Sequence, residues 1–267
     1  MPLPLPSSLS PSRVSSFKEC PLAFRFSTID GLPEAPSEPA VKGTTVHRAL
    51  ELLFTAPAHE RTRELATTTL ATALEEMATD EDYLGLHLDE AGSARFAEEA
   101  SRLVDRYFEL EDPTAVHPVG LELKLEAQLG SLKVRGVIDR LELEDGELVV
   151  TDYKTGKAPR PQQERARMAG VHIYSMMVER VFGRRPARVQ LLYLGGGAPQ
   201  VLAAPTSERS VAGVERQLGA VWAAVERACE TEQFAPRTSP LCNWCSFREF
   251  CPEFGGDPAA AAAARKD

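Results

Sequence analysis

The sequence lacks a basic excess, a long apolar run and an even set of cysteines, and each absence removes a class of protein. Its 267 residues carry 30 Lys and Arg against 39 Asp and Glu, a net charge of −9. Bulk charge therefore does not draw the chain to nucleic acid, although a phosphate groove needs only local cations. Arg160, Arg165 and Arg167, then Arg184, Arg185 and Arg188, are candidates for such a groove. For any one of them, a solvated surface is the plainer reading.

No stretch approaches the roughly 18 apolar residues of a membrane span. The start, MPLPLPSSLS, has neither the basic residues nor the apolar core of a secretory signal. The expectation is a cytoplasmic protein with no membrane partner. The five cysteines, Cys20, Cys229, Cys242, Cys245 and Cys251, are odd in number. In that compartment they argue against a disulfide framework and for a metal or cluster site.

A 43% hydrophobic and 26% charged chain has ample material for a core. Its length suits one large domain, or a domain with a helical insertion, and no repeat is evident. After a Pro/Ser-rich lead-in, Ser12 is placed to cap a helix running to about Phe26. A loop over 31–39 precedes a helix from Gly43-Thr44 that buries Val46, Leu50, Leu53 and Phe54. Helical stretches near 60–78 and 91–111 form an insertion of about 56–115. The period then changes: 121–128 reads as a half-buried strand, and 132–156 as two strands around Asp145-Gly146. A helix near 163–182, a strand at 187–194, a glycine turn, a short strand ending near Ala203 and a helix near 207–232 follow. The cysteine-rich region spans about 236–254, and 255–267 reads as a disordered tail.

The hairpin gives a register. With Asp145 and Gly146 as the turn, paired residues have numbers summing to about 291: Glu144 faces Glu147, Leu143 faces Leu148, Leu141 faces Val150, and Asp139 lands opposite Asp152. Two carboxylates on one face repel, and a hard divalent cation between them offsets the cost. Lys154, two residues on, shares that face. Such a trio suits phosphodiester hydrolysis: a cation to polarise the phosphoryl oxygen, and a lysine to orient water or neutralise charge. The plainer alternative is an exposed hairpin with solvated side chains.

His47, one turn into its helix, can complete a carboxylate-rich site, with Glu51 at i+4 to orient its ring. Alone it reads as a partly buried histidine. Tyr174 reads equally as core packing with its hydroxyl at the rim. Cys242, Cys245 and Cys251 form C-x2-C-x5-C, and a tetrahedral site needs a fourth ligand. Cys229 fits inside a helix as a small apolar residue. Cys20 is followed by Pro21 as Cys251 is by Pro252, and is the choice. Zinc and an iron–sulphur cluster both remain open, although four-cysteine zinc sites more often show two C-x2-C pairs.

With these residues placed, the chain resembles the RecB-like branch of the PD-(D/E)xK nuclease superfamily, in its iron–sulphur subclass. That group includes the AddB C-terminal nuclease and the CRISPR-associated adaptation nucleases. SPSRVSSFKECPLAFRF resembles the opening segment and implies Cys20 as the first cluster ligand. GTTVHRALE resembles the first motif and implies His47 as a metal ligand; GVIDRLE resembles the second and implies Asp139. TDYKTG resembles the third, implying Asp152 and the Tyr153 carbonyl as metal ligands and Lys154 as catalytic. The closing C-x2-C-x5-C implies Cys242, Cys245 and Cys251 as the remaining ligands of a 4Fe-4S cluster. The fourth motif, Q-x-x-x-Y, is matched by Tyr174, but its glutamine position holds Gly170. Gln162 and Gln163 lie too far upstream to substitute, which leaves a neighbour such as His172.

The resemblance implies an α/β, restriction-endonuclease-like fold over residues 1–267. A central mixed sheet would be flanked by helices, with a helical insertion and chain ends stapled by the cluster. It implies a magnesium- or manganese-dependent deoxyribonuclease, an exonuclease on single-stranded DNA ends in repair or recombination. Partners would be DNA, a separate helicase since the chain is too short for a fused one, and other repair or CRISPR proteins. A weak or inactive DNA-binding module of the same fold, a CRISPR spacer-adaptation nuclease and a zinc-stabilised structural protein are the alternatives.

Overall fold

The computed structural model describes residues 2–264, apart from the side chains of residues 165, 166, 169 and 262–264. Two compact units are built from the chain. One comprises residues 36–125 and 137–211, the other residues 1–35, 126–136 and 212–267.

The first unit opens with α3 (Glu38–Thr55), which follows α1 (Pro11–Glu19) and α2 (Pro21–Phe24) of the other. Helix α3 begins five residues before the predicted Gly43, because Pro39 sits in its first turn, where a missing N–H costs nothing. Then come α4 (Arg63–Met77), α5 (Glu81–Leu84) and α6 (Glu90–Tyr107), helices in the stretch between α3 and the sheet. Thr62, Asp80 and Asp89 cap their first turns with side-chain oxygens. One core joins Leu50, Leu53 and Phe54 of α3 to Leu70, Val104 and Tyr107 of the insertion, and to Tyr153, Leu192 and Leu194 of the sheet.

Five strands form a mixed sheet in the order β1 (Pro118–Leu129), β2 (Leu132–Glu144), β3 (Glu147–Lys157), β4 (Arg188–Gly195) and β5 (Gln200–Pro205). Strands β2 and β3 pair with the predicted register, from Glu144 opposite Glu147 back to Arg140 opposite Thr151. Asp145 and Gly146 both have positive φ, at 50° and 80°, the geometry of a type I′ turn. Helix α7 (Pro161–Phe182) carries the chain across to β4, which runs parallel to β3. Their register slips by one residue between Lys154 and Lys157, a bulge directly after Lys154. There the backbones approach so closely that a Cβ on Gly195 would stand 2.0 Å from the Thr155 carbonyl oxygen.

The second unit gathers the two chain ends. Helix α1 is capped by Ser10, which accepts from the Arg13 N–H at 3.2 Å, and not by the predicted Ser12. Nor does it run unbroken to Phe26: Cys20 turns extended before Pro21, and the chain continues through α2 and a π turn, Arg25–Ile29. Proline disfavours helical geometry in the residue before it, which explains the break. Phe17 packs edge-on against Phe24 at 5.2 Å, and Phe26 lies 5.6 Å from Phe247. In α8 (Glu208–Thr231), Trp222 donates to the Ser131 hydroxyl at 3.1 Å. The tail read as disordered carries a 3-10 helix, Pro258–Ala264, started by the Asp257 carboxylate accepting from Ala259 N–H at 2.9 Å. Residues 265–267 lie outside the described residues. Among the described residues, no helix is long and apolar enough to cross a membrane.

Candidate active site

The centre of the site is the backbone of Tyr153. Its N–H donates to Asp139 Oδ2 at 2.7 Å, and its carbonyl lies 3.1 Å from His47 Nε2. Strand β2 supplies Asp139, β3 supplies Asp152, Tyr153 and Lys154, and α3 supplies His47. Asp139 and Asp152 are both buried, one residue beyond the last pair of the hairpin ladder. Lys154 Nζ contacts Asp152 Oδ2. Tyr174 in α7 faces the same carboxylates: burial first, then the charges of Asp152, Asp139 and Glu122, raises its phenol pKa.

Glu122 of β1 was not singled out in the sequence. It offers a carboxylate oxygen that lies, with ligand atoms of His47 and Asp139, within 4.8 Å of one another. Its φ is +42°, a left-handed conformation uncommon for a non-glycine residue. In the alternating run around it, Glu122 looks like any solvent-facing strand residue, and no sequence signal marks it.

Burial lowers the His47 pKa, so the ring is neutral at neutral pH. Its Nε2–H then donates to the Tyr153 carbonyl, which leaves the Nδ1 lone pair 3.4 Å from Asp139 Oδ2. Two facing acceptors need a cation or a shared proton between them. The carboxylates show the same strain. Burial, then the charge of Asp152, raises Asp139 above the usual carboxylate range. Burial, then the charge of Asp139, pushes Glu122 up to about 7. Imidazole nitrogen, carboxylate oxygens and a backbone carbonyl form a donor set that fits a hard divalent cation. Burial would depress the Lys154 ammonium, but the charge and hydrogen bond of Asp152 outweigh it, and its pKa is raised.

Three sequence expectations need correction. Glu51 does not orient the His47 ring; it accepts from Arg48 Nη1 at 2.8 Å, and the Tyr153 carbonyl takes that role. His172 lies two residues from Tyr174 and hence on another helix face; burial lowers its pKa. Among the proposed groove arginines, Arg184 is paired with Glu147, Arg185 with Glu179 and Arg188 with Glu144, so local ion pairs absorb them. Arg160 and Arg167 are exposed, and the Arg165 side chain lies outside the described residues. At Gly170 an added Cβ would meet nothing within 4 Å, so the position of the missing glutamine is open.

In the unit of the chain ends, Cys20, Cys242, Cys245 and Cys251 line one cavity together with Leu22, Phe26 and Phe247. Burial raises the Cys245 thiol pKa, and the other three cysteines add to the effect. Cys229 stands apart, buried in α8 with its sulphur 3.8 Å from the Pro4 carbonyl. None of the five is paired in a disulfide.

Relatives match along half of the chain or more. The gene 69 protein of Mycobacterium phage D29 is 24% identical over 92% of this chain and 96% of its own. The gene 69 protein of Mycobacterium phage L5 is 26% identical over 50% of this chain and 44% of its own. A solved structure from Eubacterium rectale, provisionally called an exonuclease, superposes with a TM-score of 0.53 and 11% identity. It covers 90% of this chain and 87% of that one, a likeness of fold. A model of the PD-(D/E)XK nuclease superfamily matches residues 8–252. The chain belongs to the PD-(D/E)XK nuclease superfamily, whose enzymes hydrolyse phosphodiesters with divalent metal ions, and it carries a carboxylate and histidine site suited to one.

Proposed function

We propose that the chain is a magnesium- or manganese-dependent deoxyribonuclease that degrades single-stranded DNA from its ends. The observation that carries the reading is the convergence of His47, Asp139 and the Tyr153 carbonyl beside the Asp152–Lys154 pair. His47, Asp139, Asp152 and the Tyr153 carbonyl would hold the ion. A divalent ion held there would supply Lewis-acid polarisation of the scissile phosphate and a water of lowered pKa. Lys154 carries a raised pKa, so it stays protonated and neutralises charge growing on the phosphate. Tyr174 keeps its proton for the same reason and can donate a hydrogen bond to a phosphate oxygen. Asp152 holds the Lys154 ammonium in place, and burial of both Asp139 and Asp152 limits the water competing for these contacts.

The four thiols around one cavity support a 4Fe-4S cluster held by Cys20, Cys242, Cys245 and Cys251. Four converging thiolates would repel without a cationic centre, and thiolates suit iron–sulphur clusters and zinc alike. A brown protein with stoichiometric iron supports the cluster, and a colourless zinc protein replaces it. The physiological setting proposed is DNA repair or recombination in the cytoplasm. A DNA-binding module of weak or lost activity is the second reading, favoured by Gly170 at the glutamine position.

The deciding experiment is manganese-dependent degradation of end-labelled single-stranded DNA, with Asp152→Ala purified in parallel. Product from the wild type alone supports the nuclease, and the label reads the polarity. No product from either, with folded protein, transfers the reading to the binding module.

A further inference from the structure

Tyr153 has two ends. Its backbone sits in the site, and its ring leads into a buried polar cluster that the chemistry above does not use. Arg140, one residue past Asp139 and so on the opposite face of β2, is 0% exposed. Its Nη1 donates to the Tyr153 hydroxyl at 2.9 Å. Glu111, just beyond the end of α6, grips the same guanidinium from two sides, with Nη2 to Oε2 at 2.9 Å and Nη1 in contact with Oε1. Glu142 contacts Nε, and Tyr107 donates to Glu111 Oε1 at 2.6 Å. Gln190 donates to Thr151 Oγ1 at 2.8 Å, which closes the cluster from β4.

A buried cation between two carboxylates is a poor way to gain stability, because apolar residues of equal volume often do as well or better. What such a cluster gives is direction: a planar guanidinium with fixed donors holds its partners in one geometry. Among the described residues, Arg140 is the hydrogen-bond partner that fixes the Tyr153 hydroxyl. Locking the phenol locks the ring, and the ring sets the peptide whose N–H and carbonyl face Asp139 and His47.

We propose that Arg140 is a positioning residue that, anchored by Glu111 of the helical insertion, clamps the Tyr153 ring and so holds the Tyr153 carbonyl and amide in register for the metal. The inference rests on the reading that this site binds a divalent cation. The insertion is thereby part of the site's construction through Glu111.

The test is manganese affinity measured by titration calorimetry on the full-length protein, with the melting temperature of the metal-free form read alongside. Tyr153→Phe deletes only the clamped hydroxyl, and Arg140→Lys keeps the charge while losing the fork. Loss of a group that orients a ligand weakens metal binding by about 10- to 100-fold, and that loss is expected in Tyr153→Phe with its fold retained. Excess manganese should restore its cleavage rate. A lowered melting temperature with wild-type manganese affinity in Tyr153→Phe makes the cluster merely structural and overturns the proposal, even where Arg140→Lys fails to fold. A wild type that binds no manganese overturns the metal reading first, and this one with it.

Discussion

Cys20→Ser is expected to cost more stability than a substitution of one half-buried thiol otherwise explains. With the cluster in place, Cys20 ties the N-terminal segment to Cys242, Cys245 and Cys251; without it, only the short C-terminal run remains clipped. The loop released is about 220 residues long, and the chain-entropy relation for cross-links gives about 5 kcal/mol for a loop of that size. A domain has only about 5–15 kcal/mol in hand. In urea, with a slope of about 3 kcal/mol/M for a chain of this size, the midpoint should fall by about 1.5–2 M. Cys229→Ala is the control, since Cys229 is buried away from the other four and costs about 1 kcal/mol as an ordinary core truncation. Cleavage by Cys20→Ser at low temperature should persist, because no cysteine belongs to the catalytic group. An unchanged midpoint with unchanged slope, or an equal loss in Cys229→Ala, refutes the staple.

Asp152→Ala should reduce cleavage by at least about 10²-fold while leaving the circular dichroism spectrum and any brown colour intact; a residual rate near wild type would remove Asp152 from the site. Glu122→Gln should weaken manganese binding measurably, and equal affinity would leave Glu122 as a bystander. The raised Glu122 pKa, from 4.5 to about 7, means that the folded, metal-free protein keeps a proton which the unfolded chain releases. Metal-free stability should therefore fall as pH rises through that window, and the rise in melting temperature on adding manganese should be larger above it than within it. A pH-independent rise contradicts this. Gly170→Gln fills open space and removes a helix-interior glycine worth about 1 kcal/mol, so it should raise both melting temperature and cleavage rate. A slower variant would show that the site works without a glutamine there.

The parts legible in the sequence are those fixed by short-range rules. Asp145-Gly146 demands a tight turn, and the turn sets the register from Glu144 on Glu147 back to Arg140 on Thr151, one residue short of Asp139 and Asp152. Cys20 was separable from Cys229 because one lies beside a helix-breaking proline and the other within an amphipathic helix. What stayed hidden depends on which faces are covered. Burial runs unbroken from Ile138 to Glu142, so Arg140 and Glu142 look like solvent-facing alternates and are core. Glu122 reaches the site from a backbone at positive φ, which its neighbours do not announce. The roles given to Glu51 and the paired arginines failed because charges on a surface find the nearest opposite charge, and sequence spacing does not reveal it.

The division of the chain into units also sets an order of manufacture. Residues 36–211 include everything the site uses, and they leave the ribosome before the second unit has its C-terminal half. Phe17 and Phe24 can pack on each other at once, but Phe26, buried in the finished protein, must wait for Phe247 and Phe250 of the cysteine-rich end. At translation speeds of about 5–20 residues per second, the interval between Cys20 and Cys242 is roughly 10–45 s. For that time the segment around Cys20 waits for its partners, and any group held by all four cysteines could bind only after Cys251 has been made.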